Sequence, residues 1–199
     1  MSDNGKNKII EAARKIITES GTAAATSRAI AQEAGMTTGA IYHYYKSKED
    51  ILADVVDQNL SVTTRVAEGI ETQDYDYEKV IADLVEIARE RFSKITDCRL
   101  QFYLAHESMM GNEELHEIYI RNYEDWVRRA QVIIDNIYGF PPTRLNRALA
   151  TWMIATVDGV ILQMLLGTKM ENIDDLMEVW ELLIREGVPA ILNAIPPDR

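Results

Sequence analysis

The helical spacing of apolar residues constrains the fold of this chain more than any other feature. From residues 9–17 near the start to residues 173–192 near the end, apolar side chains recur every three or four positions. No stretch alternates apolar and polar residues for long enough to form a sheet. Hydrophobic residues make up 47% of the 199, which is enough to bury a core. We therefore predict an all-α protein of about nine helices.

Capping residues and glycines divide the first fifty residues into three short helices. Gly21 ends the first helix. Thr26 caps the second, which Gly35 ends, and the third begins at Thr37 or the next residue and runs for about eight residues. Two short helices joined by such a tight turn are typical of a helix-turn-helix.

Longer helices fill the rest of the chain. Residues 47–50 have the spacing of a capping box, with Asp50 in the usual Glu position, and begin a fourth helix predicted to continue through Val62, Val66 and Ile70. We expect the later helices at about 80–95, 100–110, 115–137, 143–166 and 173–192. This pattern predicts a three-helix head, residues 1–48, on a larger helical bundle, residues 49–199, without a flexible linker.

Basic residues are concentrated in the head, although the chain as a whole is acidic, with a formal net charge of −11. Between Gly5 and Lys48 there are seven basic and three acidic residues, so this segment carries +4 and the rest of the chain −15. Such asymmetry is typical of a small nucleic-acid-binding module joined to an acidic body, although surface scatter also produces it.

The third helix has the two faces that a recognition helix requires. At 100° per residue, Ile41 and Tyr45 fall on one side and pack inward, whereas His43 lies opposite, beside small residues that permit close approach to a major groove. Hydroxyls and a lysine at the edges suit phosphate oxygens. The predicted DNA-binding residues are Thr26, Ser27, Arg28, Thr37, Thr38, Gly39, Tyr42, His43, Tyr44 and Lys48.

The segment TSRAIAQEAGMTTGAIYHYYKSKEDIL, residues 26–52, resembles the signature of the tetracycline-repressor (TetR) family of bacterial transcriptional regulators. The resemblance covers about 45 residues. Tyr45 stands where the family often has Phe, and Ser27 where an apolar residue is frequent. The resemblance implies a homodimer that binds double-stranded operator DNA and responds to a small-molecule effector.

The last two long helices carry more apolar surface than one amphipathic stripe requires, which agrees with the implied dimer. Gly159 would let a partner helix approach closely. The alternative is that this surface is covered within the monomer. The predicted dimer contacts are Leu149, Met153, Gly159, Val160, Met164, Trp180, Leu183 and Ile184.

The helices of the body are rich in aromatic and methionine side chains. If neighbouring side chains do not fill the space between them, these residues line a pocket for a lipophilic or aromatic molecule; for each one alone, core packing is the alternative. The predicted ligand-binding residues are Phe92, Tyr103, His106, Met110, Tyr123, Trp126 and Trp152.

Catalytic and membrane functions find little support in the sequence. The single cysteine, Cys98, follows an aspartate and has no histidine close in sequence, so we interpret it as a packing residue. Glu113 and His116 have the Glu-x-x-His spacing of a di-iron half-site, but no second copy exists. The apolar stretch 148–166 is interrupted by Asp158 and Gln163, which argues against a membrane span.

We therefore expect a cytoplasmic, effector-responsive DNA-binding regulator, most simply a repressor, with no cofactor and no enzymatic activity. Two alternatives stay open at this point. In the first, the body serves only for dimerisation or protein docking, without a small-molecule switch. In the second, the chain is a helical enzyme or metal-binding bundle whose head resembles a helix-turn-helix by chance.

Overall fold

The computed structural model describes residues 3–57, 76–141, 143–169 and 172–195, and over these residues it contains helices and no strands. The elements are α1 (Asp3–Ser20), a 3₁₀ turn (Thr22–Ala24), α2 (Ser27–Glu33), α3 (Thr38–Tyr44), α4 (Lys48–Asp57), α5 (Tyr77–Ser93), α6 (Ile95–Met109), α7 (Glu113–Ile137), α8 (Arg144–Leu165), α9 (Ile173–Leu182), a π turn (Leu183–Gly187) and α10 (Val188–Ala194). With α9, the π turn and α10 taken as one helix, the described residues contain nine helices, as predicted.

Local hydrogen bonds explain where the head helices begin. The Thr26 hydroxyl oxygen accepts from the Ala29 amide at 3.2 Å, and that of Thr37 accepts from the Ala40 amide at 3.1 Å. Each bond satisfies an amide that the first turn of a helix leaves without a partner.

The capping box at the start of α4 is formed in both directions. The Ser47 amide donates to the Asp50 carboxylate, and the Asp50 amide donates to the Ser47 hydroxyl, both at 3.2 Å. The predicted continuation of this helix through Val62, Val66 and Ile70 lies outside the described residues.

The second half of the chain differs from the prediction at one boundary. We expected a helix through Ile95 and a new one at Leu100, but α5 ends at Ser93 and α6 begins at Ile95. Lys94, with φ −95° and ψ 51°, breaks the helix while its amide still bonds to the Glu90 carbonyl. Ile95 keeps the helical spacing set by Phe92, so apolar spacing did not mark the break before α6.

The chain divides into two compact units, Met1–Gln58 with Leu100–Asn122, and Asn59–Arg99 with Tyr123–Arg199. In the first unit α1 packs on α2 and α4, and α2 packs on α3. Its core consists of fully buried aliphatic side chains: Ile9, Ile17, Ile30, Ile41, Ile51, Leu52, Leu104 and Leu115.

The second unit has two apolar clusters along its helices. The first contains Val80, Ile81, Ile133, Ile137 and Ile184. The second contains Val127, Ile134, Leu149, Ala150, Val188 and Leu192. Residues of α7 belong to both clusters, so this helix forms the centre of the unit.

Candidate nucleic-acid interface and ligand cavity

The third helix presents the two faces that its sequence predicts. Ile41 and Tyr45 are buried in the head. Tyr42 is 56% exposed, an unusual position for a large aromatic side chain. Among the other predicted contacts, those exposed to solvent are Thr26, Arg28, Thr37, Thr38, Gly39 and His43.

Ser27, Tyr44 and Lys48 are only partly exposed. The Tyr44 ring lies directly over Gly5 of α1, where a β-carbon would collide with its hydroxyl, and it meets the His43 ring edge-on at 5.5 Å between centroids. The Lys48 ammonium lies 3.9 Å from a carboxylate oxygen of Glu114 on α7. Contact with DNA by Tyr44 or Lys48 therefore competes with contacts inside the protein.

The electrostatics around Glu114 depend on more than Lys48. Burial raises the pKa of Glu114; the nearby Lys48 ammonium opposes this shift, and the neighbouring Glu49 carboxylate adds to it. Glu49 itself, bonded by its own amide and the Ser47 hydroxyl, has a lowered pKa. Two carboxylates and one ammonium thus meet where α4 begins.

Tyr45 occupies a position where phenylalanine is frequent in the family, and the structure provides partners for its additional hydroxyl. Its hydroxyl donates to the Asp54 carboxylate at 2.8 Å, and the Lys6 ammonium bonds to the same oxygen at 3.0 Å. The Lys6 nitrogen also lies 5.1 Å from the centre of the Tyr45 ring. Burial and the bond to Asp54 raise the pKa of Tyr45. This network ties α1, the end of α3 and α4 together.

The second unit contains a partly open cavity of about 110 Å³. Its volume is several times the roughly 10–15 Å³ that a single water molecule needs, and its walls are almost entirely apolar. The residues that line it are Leu84, Ile87, Ala88, Arg91, Trp126, Ala130, Ile133, Ile134, Ile137, Tyr138, Met153, Ile154, Val157, Asp158 and Trp180.

Arg91 of α5 and Asp158 of α8 form an ion pair in the wall of this cavity. A guanidinium nitrogen of Arg91 lies 2.7 Å from one carboxylate oxygen of Asp158, and the Tyr123 hydroxyl donates to the other oxygen at 2.7 Å. The Tyr123 ring in turn contacts Trp126 edge-on, with 4.7 Å between centroids. Asp158, which the sequence marked only as an obstacle to membrane insertion, is therefore the anchor of a polar site.

Two aromatic residues close the cavity near the π turn. The Tyr138 hydroxyl donates to the Ile184 carbonyl at 2.8 Å, and burial raises its pKa. The indole nitrogen of Trp180 is buried and has no acceptor among the described residues. Met153 packs beside them.

The cavity includes few of the residues predicted to bind a ligand. Trp126 lines the cavity. Tyr123 does not line it but donates a hydrogen bond to Asp158, which does. The others do not line it: Phe92, Tyr103, His106, Met110 and Trp152.

The positions of these five residues explain why they do not line the cavity. Phe92 is buried in the second unit, and Trp152 is exposed on α8. Tyr103, His106 and Met110 belong to the first unit, where Tyr103 bonds to Glu107. Abundance of aromatic residues was a poor guide because it does not reveal which helix faces converge.

The predicted dimer contacts lie in two different settings. Leu149 and Ile184 are buried in the two clusters of the body, while Met153 and Trp180 line the cavity. Leu149 and Ile184 therefore fit the alternative, in which apolar side chains are covered within the monomer, whereas Met153 and Trp180 are half-buried. Val160, Met164 and Leu183 are half-buried, and nothing packs over Gly159.

A different set of apolar residues is exposed on the same helices. Trp152 and Leu162 on α8, and Leu166 directly after it, lie on the same face of the helix as Gly159. On α9 and α10 the exposed apolar residues are Val179, Leu182 and Ile191. A shallow apolar groove joins Trp152 to Ile191. Exposed patches of this kind mark interaction surfaces.

Among the described helices, Leu145–Leu165 is long and apolar enough to cross a membrane by length and composition. Such a signal from one helix is weak evidence. Asp158 near its middle pairs with Arg91, and Leu149 and Ile161 are buried in protein. Packing on one face of the helix and an exposed apolar stripe on the other thus account for its high content of apolar residues.

Cys98 is a buried packing residue, as predicted. Its thiol donates to the Arg91 carbonyl at 3.3 Å, and burial raises its pKa, which disfavours the nucleophilic thiolate. His116, whose spacing from Glu113 matches a di-iron half-site without a second copy, is exposed. In the part of the chain that the structure describes, no three potential metal ligands cluster together.

Comparison with known proteins supports the reading of the head. Residues 9–55 match the family model described as bacterial regulatory proteins, tetR family. The HTH-type transcriptional repressor AcnR of Corynebacterium glutamicum is 23% identical over 195 residues, covering 92% of this chain and 94% of AcnR. The HTH-type transcriptional regulator UidR of Escherichia coli K12 is 30% identical over 81 residues, covering 39% of this chain and 41% of UidR.

The whole fold is also similar to solved structures. The SmeT–triclosan complex superposes with a TM-score of 0.65 at 20% identity, covering 94% of each chain. The family model lies on the head, and AcnR extends the similarity over both units. Regulators of this kind bind DNA and are not enzymes. Residues 9–55 belong to the TetR family of bacterial regulatory proteins, and the chain as a whole is similar to HTH-type transcriptional regulators.

Proposed function

We propose that this protein is a homodimeric, cytoplasmic repressor that leaves its operator when a small lipophilic or aromatic molecule enters the cavity of the body. The observation that carries the proposal is the exposed face of α3. Thr37, Tyr42 and His43 are turned to solvent on a helix whose other face is buried. A helix N-terminus with small residues and hydroxyls suits the major groove.

The proposed DNA contacts extend to both sides of this helix. Thr26 caps α2 and Arg28 lies in its first turn; Lys46 lies between α3 and α4, and Lys48 is the first residue of α4. These groups suit phosphates, which fix position, whereas His43 is placed to read a base edge. We assign residues 1–48 to DNA binding and the rest of the chain to ligand binding and dimerisation.

The exposed apolar stripe of α8, α9 and α10 supports a two-fold dimer. A self-complementary dimer would cover Leu166, Leu182 and Trp152 at once. It would also present two copies of α3 to successive major grooves, about 34–36 Å apart, on an inverted repeat.

Sedimentation tests the dimer directly. Leu166→Asp should convert the protein to monomers and abolish tight operator binding. Met109→Asp is the matched control, because Met109 is 75% exposed and Leu166 70% but Met109 lies on α6 in the other unit. Equal behaviour of the two variants would contradict the proposed interface.

Selection of bound fragments from genomic DNA tests the function. A short inverted repeat should be enriched, and its affinity should fall steeply as salt rises because binding releases counterions. A ligand found by screening must then weaken operator binding by the same factor by which saturating operator weakens ligand binding. Ligand affinity that operator leaves unchanged would favour the alternative, a DNA-binding dimer without a small-molecule switch.

A further inference from the structure

The cavity of the second unit carries information about the chemistry of its ligand. Its described walls contain one cation, Arg91, and one anion, Asp158, and these two groups pair with each other at 2.7 Å. Arginine stays protonated at any ordinary pH. The cavity therefore has fixed charges but no net charge.

A charged ligand would disturb this balance. An anion that bonded Arg91 would compete with Asp158, and a cation that bonded Asp158 would compete with Arg91. In either complex one charge remains uncompensated among apolar side chains, where desolvation is costly. A neutral ligand avoids that cost and still finds a hydrogen-bond acceptor.

That acceptor lies at the polar part of the wall. Asp158 accepts from both Arg91 and Tyr123, and a carboxylate has room to accept a further bond. The Trp180 indole N–H also lacks an acceptor among the described residues, but it is buried away from the free space of the cavity. The remaining lining side chains are aliphatic or aromatic.

We infer that the cavity selects an electrically neutral, compact and mainly apolar molecule that carries a hydrogen-bond donor such as an alcohol or phenol. This inference rests on the proposed function, because it names the class of ligand for the proposed regulatory site. Since charge selection comes from the Arg91–Asp158 pair, removal of either partner should change it in a defined direction.

Two sets of probes test the inference; within each set, the three molecules are similar in size and differ in charge. We would titrate the full-length protein at pH 7 by calorimetry with 2-naphthalenemethanol, 2-naphthoate and 2-naphthylmethylammonium, and with the one-ring set of benzyl alcohol, benzoate and benzylammonium. In at least one set, the alcohol should bind at least about tenfold more tightly than either ion, because each ion leaves a buried charge uncompensated.

Three variants reverse and restore the order. Asp158→Asn leaves Arg91 alone and should favour the carboxylate, whereas Arg91→Met leaves Asp158 alone and should favour the ammonium. The double variant R91M/D158N is neutral again and should favour the alcohol. Circular dichroism verifies folding, and if a single variant does not fold, the rankings of the wild type and the double variant still decide.

Several results would overturn the inference. The wild-type protein could prefer either ion, bind all three probes equally or bind none of them. Alternatively, the folded single variants could rank the three probes in the same order as the wild type. Release from operator DNA separates this test from that of the proposed function. An alcohol that binds without releasing the operator contradicts the ligand switch alone, and an ion that releases it contradicts the neutral-ligand inference alone.

Discussion

Two ion pairs of nearly equal length show how differently the two compact units use charge. In the first unit, the Lys15 ammonium lies 2.6 Å from Glu33, and the two side chains are 53% and 36% exposed. In the second, the Arg91 guanidinium lies 2.7 Å from Asp158, with side chains 5% and 16% exposed. Water and salt screen the first pair far more than the second, so burial rather than distance decides the contribution of each.

The difference matches what each unit is proposed to do. Exposed cations attract a polyanion from a distance and release it as salt rises, which suits reversible binding to DNA. A buried, mutually neutralised pair has no long-range field but penalises any ligand of the wrong charge. The head would thus depend strongly on ionic strength and the cavity only weakly.

The largest expected effect comes from breaking the buried pair. Arg91→Met should lower the free energy of unfolding by about 3–5 kcal/mol, because it leaves Asp158 buried without its cation. Urea unfolding at pH 7 measures the change. R91M/D158N should recover much of the loss, since it removes both charges.

The matched exposed control is Lys15→Met, whose ion pair is equally short. It should change stability little, because solvent already screens the charges. If Arg91→Met were as mild as Lys15→Met, the comparison between the two units would fail.

The second prediction concerns the recognition helix. His43→Ala should change the preferred base pair at one position of each half-site by about 1–3 kcal/mol, if His43 reads a base edge. Tyr42→Phe should weaken binding by a similar factor at every sequence, because a phosphate contact carries no base information. Affinities for the operator and for each single base-pair substitution distinguish the two patterns.

Lys79→Ala serves as the control for nonspecific loss of charge, since Lys79 is exposed on α5 in the second unit. It should leave both affinity and sequence preference close to wild type. A uniform loss for His43→Ala would contradict base reading and would place His43 among the phosphate contacts.

The head could be predicted from sequence far better than the cavity, and the reason is the range of the signals. Thr37 caps α3 through an amide three residues away, and Ile41 is buried because of its position on one short helix. The cavity depends on α5, α7, α8 and α9 meeting in space, so Arg91 and Asp158, 67 residues apart, gave no local sign of pairing. Aromatic and methionine content pointed to His106 and Met110, which belong to the first unit.

A third prediction tests the competition for Lys48. Glu114→Gln removes the carboxylate beside the Lys48 ammonium, so we expect operator binding to tighten, by roughly tenfold or less, as Lys48 becomes available to a phosphate. Glu113→Gln is the matched control, because Glu113 is an exposed neighbour in the same first turn of α7. Filter-binding titrations at several salt concentrations measure both variants.

A double-mutant cycle assigns the effect to Lys48. In a Lys48→Ala background, Glu114→Gln should no longer tighten binding. If it still did, or if Glu113→Gln tightened binding equally, general reduction of negative charge would explain the result and not release of Lys48.

The smallest effect is expected at Tyr45, where the hydroxyl joins Asp54 and Lys6. Tyr45→Phe should lower stability by about 1 kcal/mol or less, because it removes one hydrogen bond to a partly exposed carboxylate.

The pH dependence of stability is more diagnostic of the role of Tyr45. The folded-state pKa of Tyr45 is raised, so above pH about 10 the unfolded tyrosine ionises while the folded one stays neutral, and stability falls. Chemical unfolding between pH 8 and about 11 should therefore show a smaller decline for the Phe variant than for wild type. Because Tyr103 and Tyr138 also have raised pKa values and remain in both proteins, parallel declines would mean that Tyr45 contributes nothing to this loss.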